Sequence, residues 1–338
     1  MKRTLFVLMT IAILTVGMPG AAKALFLPDP TTTAYTYGDF YSYSLPVLAY
    51  EYDQLHGGGV GPGNPYYVPS SPGHLADSIV IATGAGGGVV ENPDGMDYAY
   101  ATPNSSGQST FYTSVESDPY PNPLDPDAFT GDQRNTWDSS IQAFVDYLGE
   151  GITPQFFFNN NETDKGDNQD LRVYGTIRVW NTSTADEEIF ELISTVGDDS
   201  GYGVFGANPY LYDYGDTPLT DGAYALSGGD MCFNGSGLPV PCSDPGAIPS
   251  PSFAHNLGAN QAAYVIVSPE LDDILFAWDP LTSDYNMLSI DLRMYDLSNG
   301  YEQAFVRGSE YTPIPEPSTW LLMALGLLAL PFARRLRK

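Results

Sequence analysis

The sequence predicts a mainly β protein, an antiparallel β-sandwich-like ectodomain with one or two short helices. Two segments, 171–179 and 288–294, alternate apolar and polar residues with the period of a strand that has one buried face. Apolar residues make up 43% of the chain, which is enough for a packed core. The 35 glycines and 28 prolines are spread between the strand candidates, a pattern that favours an antiparallel sandwich over an α/β sheet.

The remaining strand candidates are short apolar or aromatic runs bounded by turn residues. They are 78–83, 96–102, 109–115, 155–158, 188–194 and 262–268. Asn299-Gly300 follows the strand at 288–294 and is a typical two-residue hairpin turn. We therefore predict that 302–307 returns as the hairpin partner of that strand.

Two helices are predicted between the strands, and both are expected to cover an open edge or end of the sheets. The segment 135–149 places five apolar side chains on one helical face, and Gly149 suits its end. These side chains are Trp137, Ile141, Phe144, Val145 and Leu148. A second helix is predicted after Ser268, a suitable N-cap, with Pro269 at the first helical position.

Acidic residues outnumber basic ones by 41 to 13, and the imbalance is concentrated between the two ends of the chain. Seven of the basic residues lie in the terminal segments, which leaves six basic side chains against 40 acidic ones in the body. Such a surface repels phosphate backbones, because nucleic-acid binding needs lysine and arginine to displace counterions. Nucleic acid and anionic lipid are therefore poor partners, whereas cations, neutral glycans and proteins stay open.

The N-terminus has the three regions of a secretory signal peptide. Lys2 and Arg3 form a basic start, 5–16 is an apolar run, and Ala22-Lys23-Ala24 has small residues at the two positions that a signal peptidase reads. We predict a signal helix in residues 1–24, cleavage before Leu25, and an exported domain over 25–312. A retained membrane helix is the alternative, although the run is short for a membrane span.

The C-terminus also has three parts. Pro315-Glu316-Pro317 is followed by the largely apolar segment 318–333, which is predicted to form a transmembrane helix. Four basic residues close the chain, namely Arg334, Arg335, Arg337 and Lys338. Because basic residues stay in the cytoplasm, the body is expected outside the inner membrane. The span is short and contains Pro331, which suits a membrane contact that is used transiently.

This order of motif, span and basic tail resembles the PEP-CTERM sorting signal of Gram-negative bacteria, which an exosortase recognises. The resemblance covers only residues 313–338. It implies that the tail is removed near Pro315, Glu316 and Pro317 and that the body passes to the cell surface. The expected partners are signal peptidase, an exosortase-type enzyme and exopolysaccharide or other matrix components. An ordinary tail anchor is the alternative reading of the same residues.

The two cysteines are expected to form a disulfide. Cys232 and Cys242 are ten positions apart across the flexible segment 234–237. Export places them where disulfides persist. Free thiols or a metal pair are the alternatives, although two cysteines alone make a poor zinc site.

Two populations of residues suggest ligands. The segment 159–170 crowds oxygen ligands between two strands, and its acidic members Glu162, Asp164, Asp167 and Asp170 are candidates for a weak calcium site. A solvated acidic hairpin loop is the alternative, and no other cofactor is expected.

Tyr35, Tyr37, Tyr41 and Tyr43 are predicted to share one face of a strand. Such a face can stack on sugar rings, or it can pack against a neighbouring layer.

No catalytic constellation is identifiable. The three histidines lack the His-x-x-x-His and His-x-His spacings, and the chain contains no Gly-x-Ser-x-Gly motif. We therefore expect a non-enzymatic cell-surface or extracellular-matrix protein with a structural or adhesive role. The alternative is a glycan-binding or polysaccharide-acting module.

Overall fold

The computed structural model describes residues 25–84, 90–103, 110–113, 136–149, 151–161, 171–184, 186–192, 226–227, 230–242, 245–295, 297 and 302–310. In chain order its elements are α1 (Pro30–Thr33), β1 (Tyr35–Tyr37), β2 (Phe40–Ser44), α2 (Leu45–His56), α3 (Pro72–Leu75), β3 (Ile79–Thr83), β4 (Tyr100–Ala101), β5 (Thr110–Tyr112), β6 (Trp137–Ser140), α4 (Ile141–Leu148), β7 (Ile152–Asn159), β8 (Arg172–Trp180), β9 (Glu187–Leu192), β10 (Leu226–Ser227), β11 (Met231–Asn234), β12 (Pro239–Pro241), β13 (Ala247–Phe253), β14 (Ala262–Val267), α5 (Pro269–Phe276), β15 (Met287–Tyr295) and β16 (Ala304–Glu310). The expectation of a mainly β chain with a few short helices is confirmed.

The strands form three sheets. The large sheet has the order β1-β2-β14-β7-β16-β3-β4. The second sheet has the order β10-β8-β15-β5, with β6 also paired to β15 and β9 also paired to β8. The small sheet has the order β12-β11-β13. Within the described residues the pairs are antiparallel except β3 with β4, which run parallel.

The large and second sheets face each other across a common hydrophobic core. Phe156 and Phe158 of the large sheet belong to the same buried cluster as Ile177 and Ile290 of the second sheet. This packing explains the alternation in β8 and β15, because every second side chain points into the space between the sheets. A small cavity of about 20 Å³ remains between them, lined mainly by apolar side chains.

A second cluster covers the other face of the large sheet. Phe157 and Phe305 stack there with their ring centroids 5.3 Å apart. The guanidinium of Arg307 lies 4.9 Å from the centre of the Phe305 ring and donates hydrogen bonds to Ser78 Oγ (2.9 Å) and to the His74 carbonyl (2.9 Å). Arg307 therefore holds the α3 segment against the large sheet, and Leu25 extends the same cluster.

The predicted hairpin between 288–294 and 302–307 is wrong, although both strands exist. β15 is paired with β8 along one edge and with β6 and β5 along the other. Both edges of β15 are therefore occupied, and β16 instead lies between β7 and β3 in the large sheet. The Asn299-Gly300 segment lies outside the described residues. Between Tyr295, the end of β15, and Ala304, the start of β16, the chain passes from the second sheet to the large sheet.

The predicted helix at 135–149 is correct only in its second half. Trp137–Ser140 forms β6, which pairs with β15, and the helix α4 begins at Ile141. Ser140 accepts a hydrogen bond from the Ala143 amide and so fixes the start of the helix. Gly149 ends it at a φ of 103°, as expected. The helix predicted after Ser268 is confirmed as α5.

Candidate functional site

The first residue that the structure describes is fixed against the end of the large sheet. Leu25 is 5% exposed, and its main-chain amide donates to Gln155 Oε1 (3.3 Å). Gln155 Nε2 donates to the Leu25 carbonyl (2.8 Å), which also accepts from Ser309 Oγ (3.4 Å). We call Leu25, Gln155 and Ser309 the terminal clamp. It joins the start of the predicted exported domain to the last described strand.

The β7–β16 ladder positions the terminal clamp. In this ladder Gln155 is opposite Arg307, and Thr153 is opposite Ser309. Gln155 therefore lies on the face opposite the core residues Phe156 and Phe158, where it is buried. Its amide satisfies one donor and one acceptor of the Leu25 main chain, as a neighbouring strand would.

Two tyrosines hold the residues that follow Leu25. Tyr66 donates its hydroxyl to the Phe26 carbonyl (3.0 Å), and Tyr43 donates to the Pro28 carbonyl (2.9 Å). Burial raises the pKa of Tyr43, with a smaller contribution from the charge of Asp29. Its hydroxyl therefore remains protonated and serves as a donor at neutral pH.

The sorting residues predicted from the sequence, Pro315, Glu316 and Pro317, lie outside the described residues. So do the basic residues Arg334, Arg335, Arg337 and Lys338, and the signal segment 1–24. The strand β16 ends at Glu310, and only residues 311–314 separate it from Pro315. The sorting motif therefore directly follows a strand that lies inside the large sheet, between β7 and β3.

Cys232 and Cys242 form a disulfide in the structure. The bond links β11 to the residue that follows β12, in a small sheet that packs on α2 through Val47, Met231 and Phe253. No strand is predicted around these cysteines from the sequence, so the small sheet is not anticipated. The local pairing of β11 with β12 brings the two cysteines together.

Replacing both cysteines by serine is expected to lower the free energy of unfolding by about 2 kcal/mol, because the bond closes a short loop in the unfolded chain. Denaturant unfolding with and without a reductant measures this loss. A reductant should reproduce it in the natural protein and have no effect on the double variant. Equal stability of oxidised and reduced natural protein would contradict the prediction.

The four tyrosines proposed for glycan stacking do not share a face, so the predicted common face is wrong, and stacking on glycans stays a prediction. β1 and β2 form a hairpin in which Tyr35 is opposite Ser42 and Tyr37 is opposite Phe40. Tyr35 and Tyr37 therefore lie on the face of Phe40, and Tyr41 and Tyr43 lie on the other. Tyr37 packs against the common core, and Tyr43 is buried in the second cluster.

One histidine lies in a buried polar group that the sequence analysis does not single out. His255 Nε2 is 2.7 Å from Ser44 Oγ, and its ring stacks on Tyr264 with centroids 4.4 Å apart. Ser44 also accepts from the Val47 amide and so caps α2. Because Ser44 and His255 are both buried, their contact ties the segment before β14 to the start of a helix.

The second sheet contains a buried ion pair that the sequence analysis also misses. Arg293 Nη2 lies 2.9 Å from Asp291 Oδ2, and both side chains are almost fully buried. The two residues are neighbours on the polar face of β15, two positions apart, which is the only signal of their contact in the sequence. Nearby, the Trp180 indole donates to Ser289 Oγ (2.8 Å).

The calcium hypothesis stays a prediction, because Glu162, Asp164, Asp167 and Asp170 lie outside the described residues. Among the residues that are described, no group of three or more histidine, cysteine or acidic side chains is arranged to hold a metal ion. Within the same residues, no helix is long and apolar enough to cross a membrane.

A C-terminal sorting segment that directly follows the described strands is typical of the class of exported proteins with a C-terminal sorting tail. The model of the PEP-CTERM protein-sorting motif matches residues 313–338, so the resemblance predicted from the sequence is confirmed. The model described as Domain of unknown function (DUF8239) matches residues 25–293, and the chain belongs to that family. No curated protein and no solved structure matches the chain.

Proposed function

We propose that this protein is exported, loses its C-terminal tail to an exosortase-type enzyme, and serves at the cell surface or in the extracellular matrix. The observation that carries the proposal is the sorting motif at 313–338. Exosortase processing follows from the motif itself, whereas the final location and the role are our inference. The role we propose is structural or adhesive, without an enzymatic reaction.

The chemistry of the body supports this role. Its strongly acidic composition favours solubility outside the cell and disfavours nucleic acid as a partner. The disulfide suits an oxidising compartment. β16 is the last described strand before the sorting motif, and it ends at Glu310, so removal of the tail near Pro315 leaves the described sheets intact.

Replacing Pro315, Glu316 and Pro317 together by alanine is expected to abolish removal of the tail in a host that has the sorting enzyme. The natural protein should be recovered outside the cell with a mass that lacks the residues after the motif. The variant should keep its C-terminus at Lys338 and remain in the membrane fraction. Mass spectrometry of both fractions measures the change.

A matched control replaces Thr312, three residues before Pro315, by alanine and should leave processing unchanged. Recovery of the natural protein outside the cell with Lys338 still present would overturn the processing step.

The role requires a separate test, in which the gene is deleted and the extracellular matrix is analysed. A matrix of unchanged composition and cohesion would overturn the structural or adhesive role.

A further inference from the structure

Both ends of the described body meet at one place. The Leu25 carbonyl accepts a hydrogen bond from Ser309 Oγ, although these residues are 284 positions apart in the chain. Leu25 follows the predicted signal segment, and Ser309 is one residue from the end of β16. The two segments that are expected to enter the membrane therefore leave the body from the same end.

The register of the large sheet defines this end. Ile152 at the start of β7 is opposite Glu310 at the end of β16. Asn159 at the other end of β7 is opposite Ala262 of β14. We call the end with Leu25, Ile152 and Glu310 the junction end. The opposite end lies about 25 Å away, the length of a strand of eight residues such as β7.

Two exposed phenyl rings belong to the segments that form this part of the body. Phe26, next to Leu25, is 72% exposed, and Phe276 at the end of α5 is 49% exposed. A Cβ atom built on Gly151, which precedes β7, would lie 3.7 Å from Phe276 Cε2, so this ring is beside the start of β7. Exposed phenyl rings can bury in the apolar part of a bilayer surface.

We propose that the junction end rests on the bilayer surface while the C-terminal tail is still attached. This inference relies on the proposed membrane anchoring of the tail. Only residues 311–317 separate Glu310 from the apolar segment that begins at Ser318. Seven residues span at most about 25 Å, so the body cannot move far from the membrane. Because both terminal segments connect to this end, the junction end faces the lipid and the opposite end of the large sheet points away from it.

Contact through Phe26 and Phe276 also agrees with the charge of the body. The acidic surface is repelled by anionic headgroups, so a contact with lipid has to rely on apolar side chains and on the tether. Neutral phosphatidylcholine vesicles are therefore the suitable probe. The same contact would present the start of the exported domain and the sorting motif to membrane enzymes from one side of the body.

The test compares two fluorophore positions on the full chain, with the sorting motif replaced by alanines so that the tail is retained. One label is placed at the junction end by Ala277→Cys, next to Phe276, and the other at the opposite end by Asn260→Cys. Both positions are exposed. Energy transfer to acceptor-labelled lipid in phosphatidylcholine vesicles should be about twofold higher from the label at Ala277, since the sheet separates the two sites by about 25 Å.

The phenyl rings are tested on the same labelled chain. Phe26→Ser together with Phe276→Ser should reduce the transfer from the label at Ala277. Because both side chains are exposed, these substitutions should leave the protein folded. Equal transfer from the two labels, or stronger transfer from Asn260, in protein that sediments with the vesicles would overturn the orientation alone. Protein that does not sediment with the vesicles would overturn the membrane anchoring as well as the orientation.

Discussion

Replacing Asp272 by asparagine is expected to raise the free energy of unfolding by about 3 kcal/mol at pH 9, with almost no change near pH 4. Asp272 is buried on the inner side of α5, beside Leu271 and Leu275. Its Oδ1 accepts no hydrogen bond from the residues that the structure describes. Burial raises the pKa of Asp272 to about 8, and the charge of Asp273 adds to the effect. Asparagine has nearly the same shape and carries no charge to desolvate.

The sign of the pH dependence follows from proton binding. The folded state keeps the proton of Asp272 up to about pH 8, whereas the unfolded chain releases it near pH 4. The natural protein therefore loses stability as the pH rises through this window, and the asparagine variant does not. The expected difference in stability is about 3 kcal/mol, which is less than the pKa shift alone would imply. Structural relaxation and water lower the cost of a buried charge.

Chemical denaturation from pH 4 to pH 9 measures this difference. Glu270→Gln is the matched control, because it removes one negative charge from an exposed position of the same helix. The control should change stability by less than about 0.5 kcal/mol at each pH. A constant difference between natural protein and the Asp272 variant over the whole range would show that Asp272 is ionised in the folded state.

The sequence predicts the strands best where side chains alternate between a core and a polar face. β8 and β15 are such strands, and their alternation exists because the common core lies on one side of the second sheet. The predicted partner of β15 is wrong because pairing depends on which edges are free, and no local pattern encodes that. The Asn-Gly signal is local: it favours a turn, but it does not determine which strand the returning chain pairs with.

The prediction that the four tyrosines share one face of a strand is wrong for a related reason. Tyr35 and Tyr43 have the same parity in the sequence, so a single continuous strand would place them on one side. The turn between β1 and β2 reverses the chain and changes which side each residue faces. The helix α2 is also missed, although Ser44 caps its start, because the tyrosine spacing before it suggests a strand.

Of the candidate site, the sequence predicts the parts that are local in the chain. The sorting motif is a continuous segment, and Cys232 and Cys242 are ten residues apart. The terminal clamp is not predictable in this way, because Gln155 is 130 positions from Leu25 and its role depends on the register of β7 with β16. The first residue after a signal peptide gives no indication of a buried position.

Replacing Gly175 by alanine is expected to lower the free energy of unfolding by about 3 kcal/mol or more, because the added methyl group meets fixed backbone. Gly175 occupies an inward position of β8, where the alternation calls for an apolar side chain. A Cβ atom there would lie 2.4 Å from the main-chain carbonyl oxygen of Asp291, and 3.4 Å from the Cα atom of Leu292. β15 cannot withdraw, since it pairs with β8 along its length.

The cavity between the sheets does not relieve this clash. Gly175 is part of the cavity lining, but the clashing atom belongs to the β15 backbone and not to a side chain that could move into the space. Gly235→Ala is the control, because a Cβ atom at that position meets nothing within 4 Å, and it should change stability by less than about 0.5 kcal/mol. Denaturant unfolding measures the free energy of unfolding of both variants and of the natural protein. A Gly175 variant as stable as the control would mean that the β8–β15 ladder is more widely spaced than this contact requires.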